Sequence, residues 1–129
     1  MLATADLQDK YDVEVMQVGF DRWNALSSAQ KLEEYGLECV EIKQHSSVLH
    51  RPTKWLEELI LSKHFRYDEN LLLEINFENA RCTADTNLNK YVNKKKSNGK
   101  VDCVVALINA LYLLQLEVEN PANFGAQVI

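Results

Sequence analysis

The chain predicts a single α/β domain: a small mixed sheet flanked by helices, with a long buried helix near the C-terminus. Three observations carry that expectation. "YDVEVMQVGF" (11–20) and "LECVEIKQ" (37–44) have the β-branched, apolar character of strands, and a helix-like segment lies between them. "VDCVVALINALYLLQLE" (101–117) is apolar on nearly every side, as a helix packed in the middle of a domain would be. Strand, helix, strand, helix in that order favours parallel pairing through a helical crossover.

Taken in order, "LATADLQDK" (2–10) consists largely of good helix formers and reads as a short helix. The strand at 11–20 follows and is expected to be covered on both faces towards its end. Ser27 and Gln30 are spaced as a capping box, so a helix is predicted from there, with Ala29, Leu32 and Tyr35 along it and Gly36 closing it. In the strand at 37–44, Leu37, Cys39 and Glu41 lie on one face and Val40 and Ile42 on the other. Pro52 suits the first position of the next helix, along which Trp55, Leu56, Leu59 and Ile60 form an apolar stripe. "DENLLLEINFENA" (68–80) is ambiguous: Leu71, Leu72 and Ile75 favour a helix started by Asn70, with a strand as the alternative in so short a run. "RCTADTNLNKYV" (81–92) reads as a hairpin turning at Asp85–Asn87. The domain is expected to span 1–117, and 118–129 to be a loosely ordered tail. Two strands and a hairpin make a meagre sheet, which suggests that part of the domain is missing.

Composition excludes several classes. The 129 residues are 47% hydrophobic, enough for one core, and the net charge of −5 argues against a general nucleic-acid coat. Lys90, Lys94, Lys95, Lys96 and Lys100 nevertheless crowd one short stretch, which is either a solvated charge run or a local phosphate contact. Cys39, Cys82 and Cys103 are odd in number and widely spaced, suggesting neither a disulfide framework nor a zinc site. No run approaches the ~20 apolar residues of a membrane span, and a soluble, intracellular protein without membrane contact is expected. His45, His50 and His64 show no metal-ligand spacing. The four glycines fit no P-loop, so no ATP site is expected in this chain.

Two acids stand out by position. Asp21 ends the first strand, where ligand crevices form in open α/β sheets, and Asp102 lies in the first turn of the long helix. Each could serve only to stabilise a helix N-terminus. As a pair in one cleft they could instead hold Mg²⁺ or Mn²⁺ through hard oxygen ligands, the arrangement used in two-metal phosphodiester cleavage.

Three blocks carry a family resemblance. "YDVEVMQVGFDRWNA" resembles the segment of tailed-phage large terminase subunits in which a strand ends in D-R-W-N. "RPTKWLEELI", after the Gln44-bearing strand, is similar to that family's P-x-K-x-L-E-x-L-I segment. "KKKSNGKVDCVVALINAL" is similar to its K-x-x-x-x-K-I-D-x-x-x-A-L-x-x-A-L ending, with Val101 for Ile. The resemblance implies a C-terminal nuclease domain with a ribonuclease H-like fold, present here in partial form. It implies a metal-dependent endonuclease that cuts concatemeric viral DNA during packaging, in the cytoplasm of a bacterial host. Asp21 matches the second metal-binding acid and Asp102 the one on the final helix, with Arg22, Trp23 and Asn24 shaping the turn behind Asp21. Lys94, Lys95, Lys96 and Lys100 would contact double-stranded DNA. The portal and the small terminase subunit are the implied partners.

The family's first acid lies on a strand upstream of residues 2–10, so that acid and the ATPase domain are expected to fall outside this chain. Asp85 or Glu41 could stand in for the missing ligand. Loss of the neighbouring strand would expose the edge of 13–20 and favour homodimerisation through it. A catalytically inactive prophage remnant, or a DNA- or assembly-contact module, is the alternative to a working nuclease.

Overall fold

The computed structural model describes residues 9–120, apart from the Asn24 side chain. The helix expected at 2–10 lies mostly outside the described residues, where 9–11 are helical, and the tail beyond Asn120 lies outside them entirely. The chain divides into two compact units, Met1–Lys43 and Gln44–Ile129.

The first unit is a β-α-β crossover. Strand β1 (Val18–Phe20) pairs in parallel with β2 (Cys39–Glu41), in the register Val18↔Cys39 and Phe20↔Glu41. Helix α1 (Arg22–Glu34) packs on both strands. Parallel pairing is as the order of elements predicted, but the ladder is far shorter than the expected 11–20, because β2 offers only three residues to pair with. Ala29 and Leu32 of α1 are buried, as is Ile42 just past β2.

Helix α1 starts earlier than the capping box at Ser27 predicted. Its N-cap is Asp21, and Ala25 departs from helical geometry (φ −141°, ψ 15°), so a short first turn is kinked into the main helix. The carboxylate at the strand end captures the backbone before Ser27 is reached. The C-terminus closes as expected: Gly36 adopts φ +87°, Gly36 N–H donates to Glu33 O (2.9 Å) and Leu37 N–H to Leu32 O (3.1 Å). This is a Schellman closure, and a side chain at position 36 would be strained in it.

The second unit holds helices α2 (Ser46–Leu61), α3 (Leu71–Asn79) and α4 (Asp102–Glu119), with an antiparallel hairpin of β3 (Cys82–Ala84) and β4 (Lys90–Val92). Among the described residues the strands therefore form two separate two-stranded sheets, one parallel and one antiparallel, instead of one mixed sheet. Helix α2 begins at Ser46, six residues before Pro52, because His45 Nδ1 accepts the Ser47 N–H (3.1 Å) and caps it. Pro52 sits buried inside the helix rather than at its start.

The core of this unit is Leu56 of α2 against Val104, Ile108 and Leu111 of α4, extended by half-buried Trp55, Leu59, Phe77 and Val92. Helix α4 reaches Glu119, two residues past the predicted end, and its burial is concentrated on one face: Ala106, Ala110 and Leu114 are exposed. Helix α3 begins at Asn70 as predicted, with Asn70 Oδ1 accepting Leu73 N–H (3.0 Å). Its orientation is unexpected. Leu71 and Leu72 are 69% and 61% exposed, whereas Asn76 is buried at 2%.

Truncating Ile108 to Ala is expected to cost about 2–5 kcal/mol by leaving a cavity in the α2–α4 seam. Leu72→Ala, on the exposed side of α3, should stay within about 0.5 kcal/mol of wild type. Urea unfolding monitored by circular dichroism checks both, and equal costs would contradict the burial described.

Candidate functional site

Asp21 follows β1 directly, in an extended conformation (φ −92°, ψ 120°), and its Oδ1 accepts the Trp23 N–H at 3.2 Å. Because Phe20 stands opposite Glu41, Asp21 and Glu41 mark the same carboxyl end of the parallel sheet. Arg22 Nη1 lies 3.8 Å from Glu41 Oε2, an ion pair open to solvent on both sides and therefore worth little. Trp23 enters the turn behind Asp21 through its backbone N–H. The indole is 91% exposed, because the N-terminal turn of α1 projects it into solvent; the Asn24 side chain is outside the described residues.

Asp102 opens α4 in the second unit. Its carboxylate is exposed and, among the described residues, makes no hydrogen bond or ion pair. Val101, the N-cap, has no polar side chain to close the helix. Asn76 of α3 closes it instead: its Oδ1 accepts the Cys103 N–H (3.1 Å) while its Nδ2 donates to Leu72 O (2.8 Å). Three residues along α3, Asn79 Nδ2 donates to Lys100 O (3.0 Å) and Asn79 O accepts the Asn98 N–H (2.9 Å). Gly99 lies between these bonds, and a Cβ there would stand 2.8 Å from Asn79 Nδ2.

The basic loop before α4 is built on Asn93. Its Oδ1 accepts the N–H groups of Lys95 (3.0 Å) and Lys96 (3.2 Å), and its carbonyl accepts both the N–H (3.0 Å) and Oγ–H (2.7 Å) of Ser97. Ser97 Oγ in turn accepts the Arg81 N–H at 3.0 Å. Lys94, Lys95, Lys96 and Lys100 are all exposed, and none has an acidic partner among the described residues. Lys90 is different. It is half-buried and paired with Glu57, a bond that raises the lysine pKa and lowers that of the acid.

The candidate substitute acids are both engaged. Glu41 faces Arg22, while Asp85 organises the hairpin turn. Asp85 Oδ2 accepts from Ser46 Oγ (2.6 Å) and Asn89 Nδ2 (3.1 Å), and Oδ1 from the N–H groups of Asn87 (2.8 Å) and Asn89 (2.9 Å). The histidines serve structure as well: His50 Nδ1 accepts the Lys90 N–H (2.7 Å), and His64 Nδ1 meets Ser62 Oγ (2.8 Å). Carboxylate oxygens suit Mg²⁺ or Mn²⁺, but no group of three or more candidate ligands is gathered among the described residues. Asp21 belongs to the first unit and Asp102 to the second.

Residues 6–117 match the family described as terminase large subunit, endonuclease domain. The chain belongs to that family. Its fold is similar to that in the crystal structure of the HK97 bacteriophage large terminase, with a TM-score of 0.73 and 24% identity. The similarity covers 87% of this chain and 24% of the HK97 protein, so the chain spans about a quarter of that relative's length. A comparison with curated proteins finds no match. No described helix is long and apolar enough to cross a membrane.

The structural asparagines of this terminase domain escaped the sequence reading. The available signal was Asn76 interrupting the apolar run of α3, an amide at a position that turns inward.

The Asp85 turn generates a pH prediction. Hydrogen bonds from Ser46 and Asn89 hold its pKa down to about 2 from an ordinary 3.8. A depressed carboxylate contributes stability that is present above the unfolded pKa and lost as pH falls through the folded one. The urea midpoint should therefore drop between about pH 4 and pH 2, and Asp85→Asn should flatten that part of the profile while lowering the midpoint at neutral pH. An unchanged low-pH slope in the variant would contradict the assignment.

Proposed function

We propose that this chain is the DNA-cleaving module of a phage packaging terminase, a metal-dependent endonuclease acting on concatemeric viral DNA in the cytoplasm of a bacterial host. The family match over residues 6–117 is the observation that carries the reading. Asp21 and Asp102 are the acids assigned to Mg²⁺ or Mn²⁺, which would activate water and stabilise the leaving oxygen when bound. Asp21 supports the assignment by its position at the carboxyl end of a parallel strand. Asp102 supports it as an exposed carboxylate with no structural partner among the described residues.

The chain's own contribution begins with substrate capture. Lys94, Lys95, Lys96 and Lys100 present ammonium groups unneutralised by acids among the described residues, on a loop already folded around Asn93. Phosphates of duplex DNA are the complementary ligand, and their counterions would be released on binding. The portal and the small terminase subunit are the partners proposed for the assembled machine, and the side of β1 away from β2 is proposed as an edge for homodimerisation. The shortage of gathered ligands among the described residues favours one second reading: a DNA- or assembly-contact module without catalysis.

Supercoiled-plasmid nicking with Mn²⁺ and with Mg²⁺ tests the reading. Cleavage is expected where the chain completes its metal site, by dimerising or by recruiting another acid, with a loss of at least ~100-fold in Asp21→Asn and in Asp102→Asn, since each removes a charge from that site. Wild-type DNA binding without nicking would favour the contact module. Replacing Lys94, Lys95 and Lys96 by Ala should weaken duplex binding and reduce the log–log salt slope by roughly 0.9 for each lysine that contacts a phosphate.

A further inference from the structure

We propose that Asn76 and Asn79 of α3 are positioning residues, which hold the segment Asn98–Cys103 so that Lys100 and Asp102 are presented to DNA in a fixed arrangement. The inference rests on the DNA-cleaving reading above and extends it to residues that never touch the substrate.

The geometry is specific. Asn76 and Asn79 are three apart and so share a face of α3. The first grips the far end of the segment with its side chain at Cys103 N–H; the second holds the near end by donating its side-chain Nδ2 to Lys100 O, beside a main-chain bond from Asn98 N–H to its carbonyl that any residue would supply. Lys100 and Asp102, the two residues with assigned roles in this stretch, keep exposed side chains while the backbone around them is bonded to α3. Gly99 permits the close approach, since a Cβ would meet the Asn79 amide at 2.8 Å from Nδ2 and 3.1 Å from Cγ.

The orientation of α3 points the same way. The inward face of α3 carries half-buried Leu73 and Phe77, the latter packed on the core, and the Asn76 amide is buried in that same face while Leu71 and Leu72 stay outside. Burying an amide is unfavourable unless both its ends are bonded, and both ends of Asn76 are. The same bond closes the N-terminus of α4, which Val101 leaves without a side-chain cap. Lysines on a floating loop would lose affinity to ordering on binding; a loop fixed beforehand avoids that loss.

The test is duplex-DNA binding by the full chain, measured by anisotropy across a salt series, with urea unfolding run on every variant. Asn79→Ala and Gly99→Ala should each weaken binding by roughly 3–10-fold and lower the salt slope by about 1, like Lys100→Ala. Because Gly99 matters through Asn79, the double variant should bind no worse than either single one. Asn76→Leu, which removes both bonds, and Asn76→Asp, which keeps the acceptor for Cys103 N–H but loses the donor to Leu72 O and buries a carboxylate, should both weaken binding. A change in stability alone, without a change in salt slope, would overturn the inference and leave a merely structural pair. Single variants that bind normally while Lys100→Ala does not would overturn it with the DNA reading intact. Wild-type protein that fails to bind DNA would sink both. If Asn79→Ala does not fold, Gly99→Ala and the two Asn76 variants decide the matter.

Discussion

Leu56 of α2 meets Val104, Ile108 and Leu111 of α4, and this apolar seam fixes the axis of the helix that carries Asp102. Everything assigned to the second unit depends on it. The seam sets the axis and rotation of α4 but not its first turn, because apolar contacts are non-directional and Val101 supplies no cap. The directional part falls to hydrogen bonds from α3. Packing and polar bonding thus divide the task, the first placing the helix and the second fixing the end at which chemistry is proposed.

Buried polar groups in this unit behave in contrasting ways. Asn76 is fully engaged, whereas Thr53 Oγ1 and the Glu117 carboxylate are buried without a hydrogen-bond partner among the described residues. Burial pushes the Glu117 pKa up, as expected for a carboxyl denied solvent. An unsatisfied buried group detracts from stability, and a satisfied one costs little. The asparagines are therefore the polar groups around which the local backbone is ordered, and the same logic applies to Asp85, whose two oxygens take four hydrogen bonds in the hairpin turn.

Much of the fold was legible where periodicity and punctuation act locally. The parallel pairing of β1 with β2, the closure of α1 at Gly36, the Asn70 cap and the hairpin all follow from short-range chemistry written in adjacent residues. Several of the differences share a cause, which is that side chains chose partners the local pattern does not reveal. His45 began α2 early by capping with its ring nitrogen, a role for which Ser or Asp is the stronger prior. Asp21 captured the start of α1 ahead of Ser27. Leu71 and Leu72 promised an inward face, but α3 turns Leu73, Asn76 and Phe77 inward instead, and the partner of Asn76 lies twenty-seven residues away. Candidate acids could be picked out by position in the chain; the amides that hold their backbone could not, since an asparagine carries no such signal until its partner is known.

Asp21 joins the local and functional arguments. A carboxylate at a strand end followed by a helix is favoured by the dipole and by the unsatisfied N–H groups of the first turn. Its bond to the Trp23 N–H, at 3.2 Å, lies at the long end of the normal range and is made through Oδ1. An ionised carboxylate offers about four lone-pair sites over two oxygens. Capping and the metal binding proposed for Asp21 are compatible demands, and the cap fixes the carboxylate relative to the backbone. The kink at Ala25 fits this account. A helix continuous from Arg22 to Glu34 would have to satisfy the cap and the packing of Ala29 and Leu32 along one axis, and the break lets the first turn follow Asp21 while the rest follows the sheet.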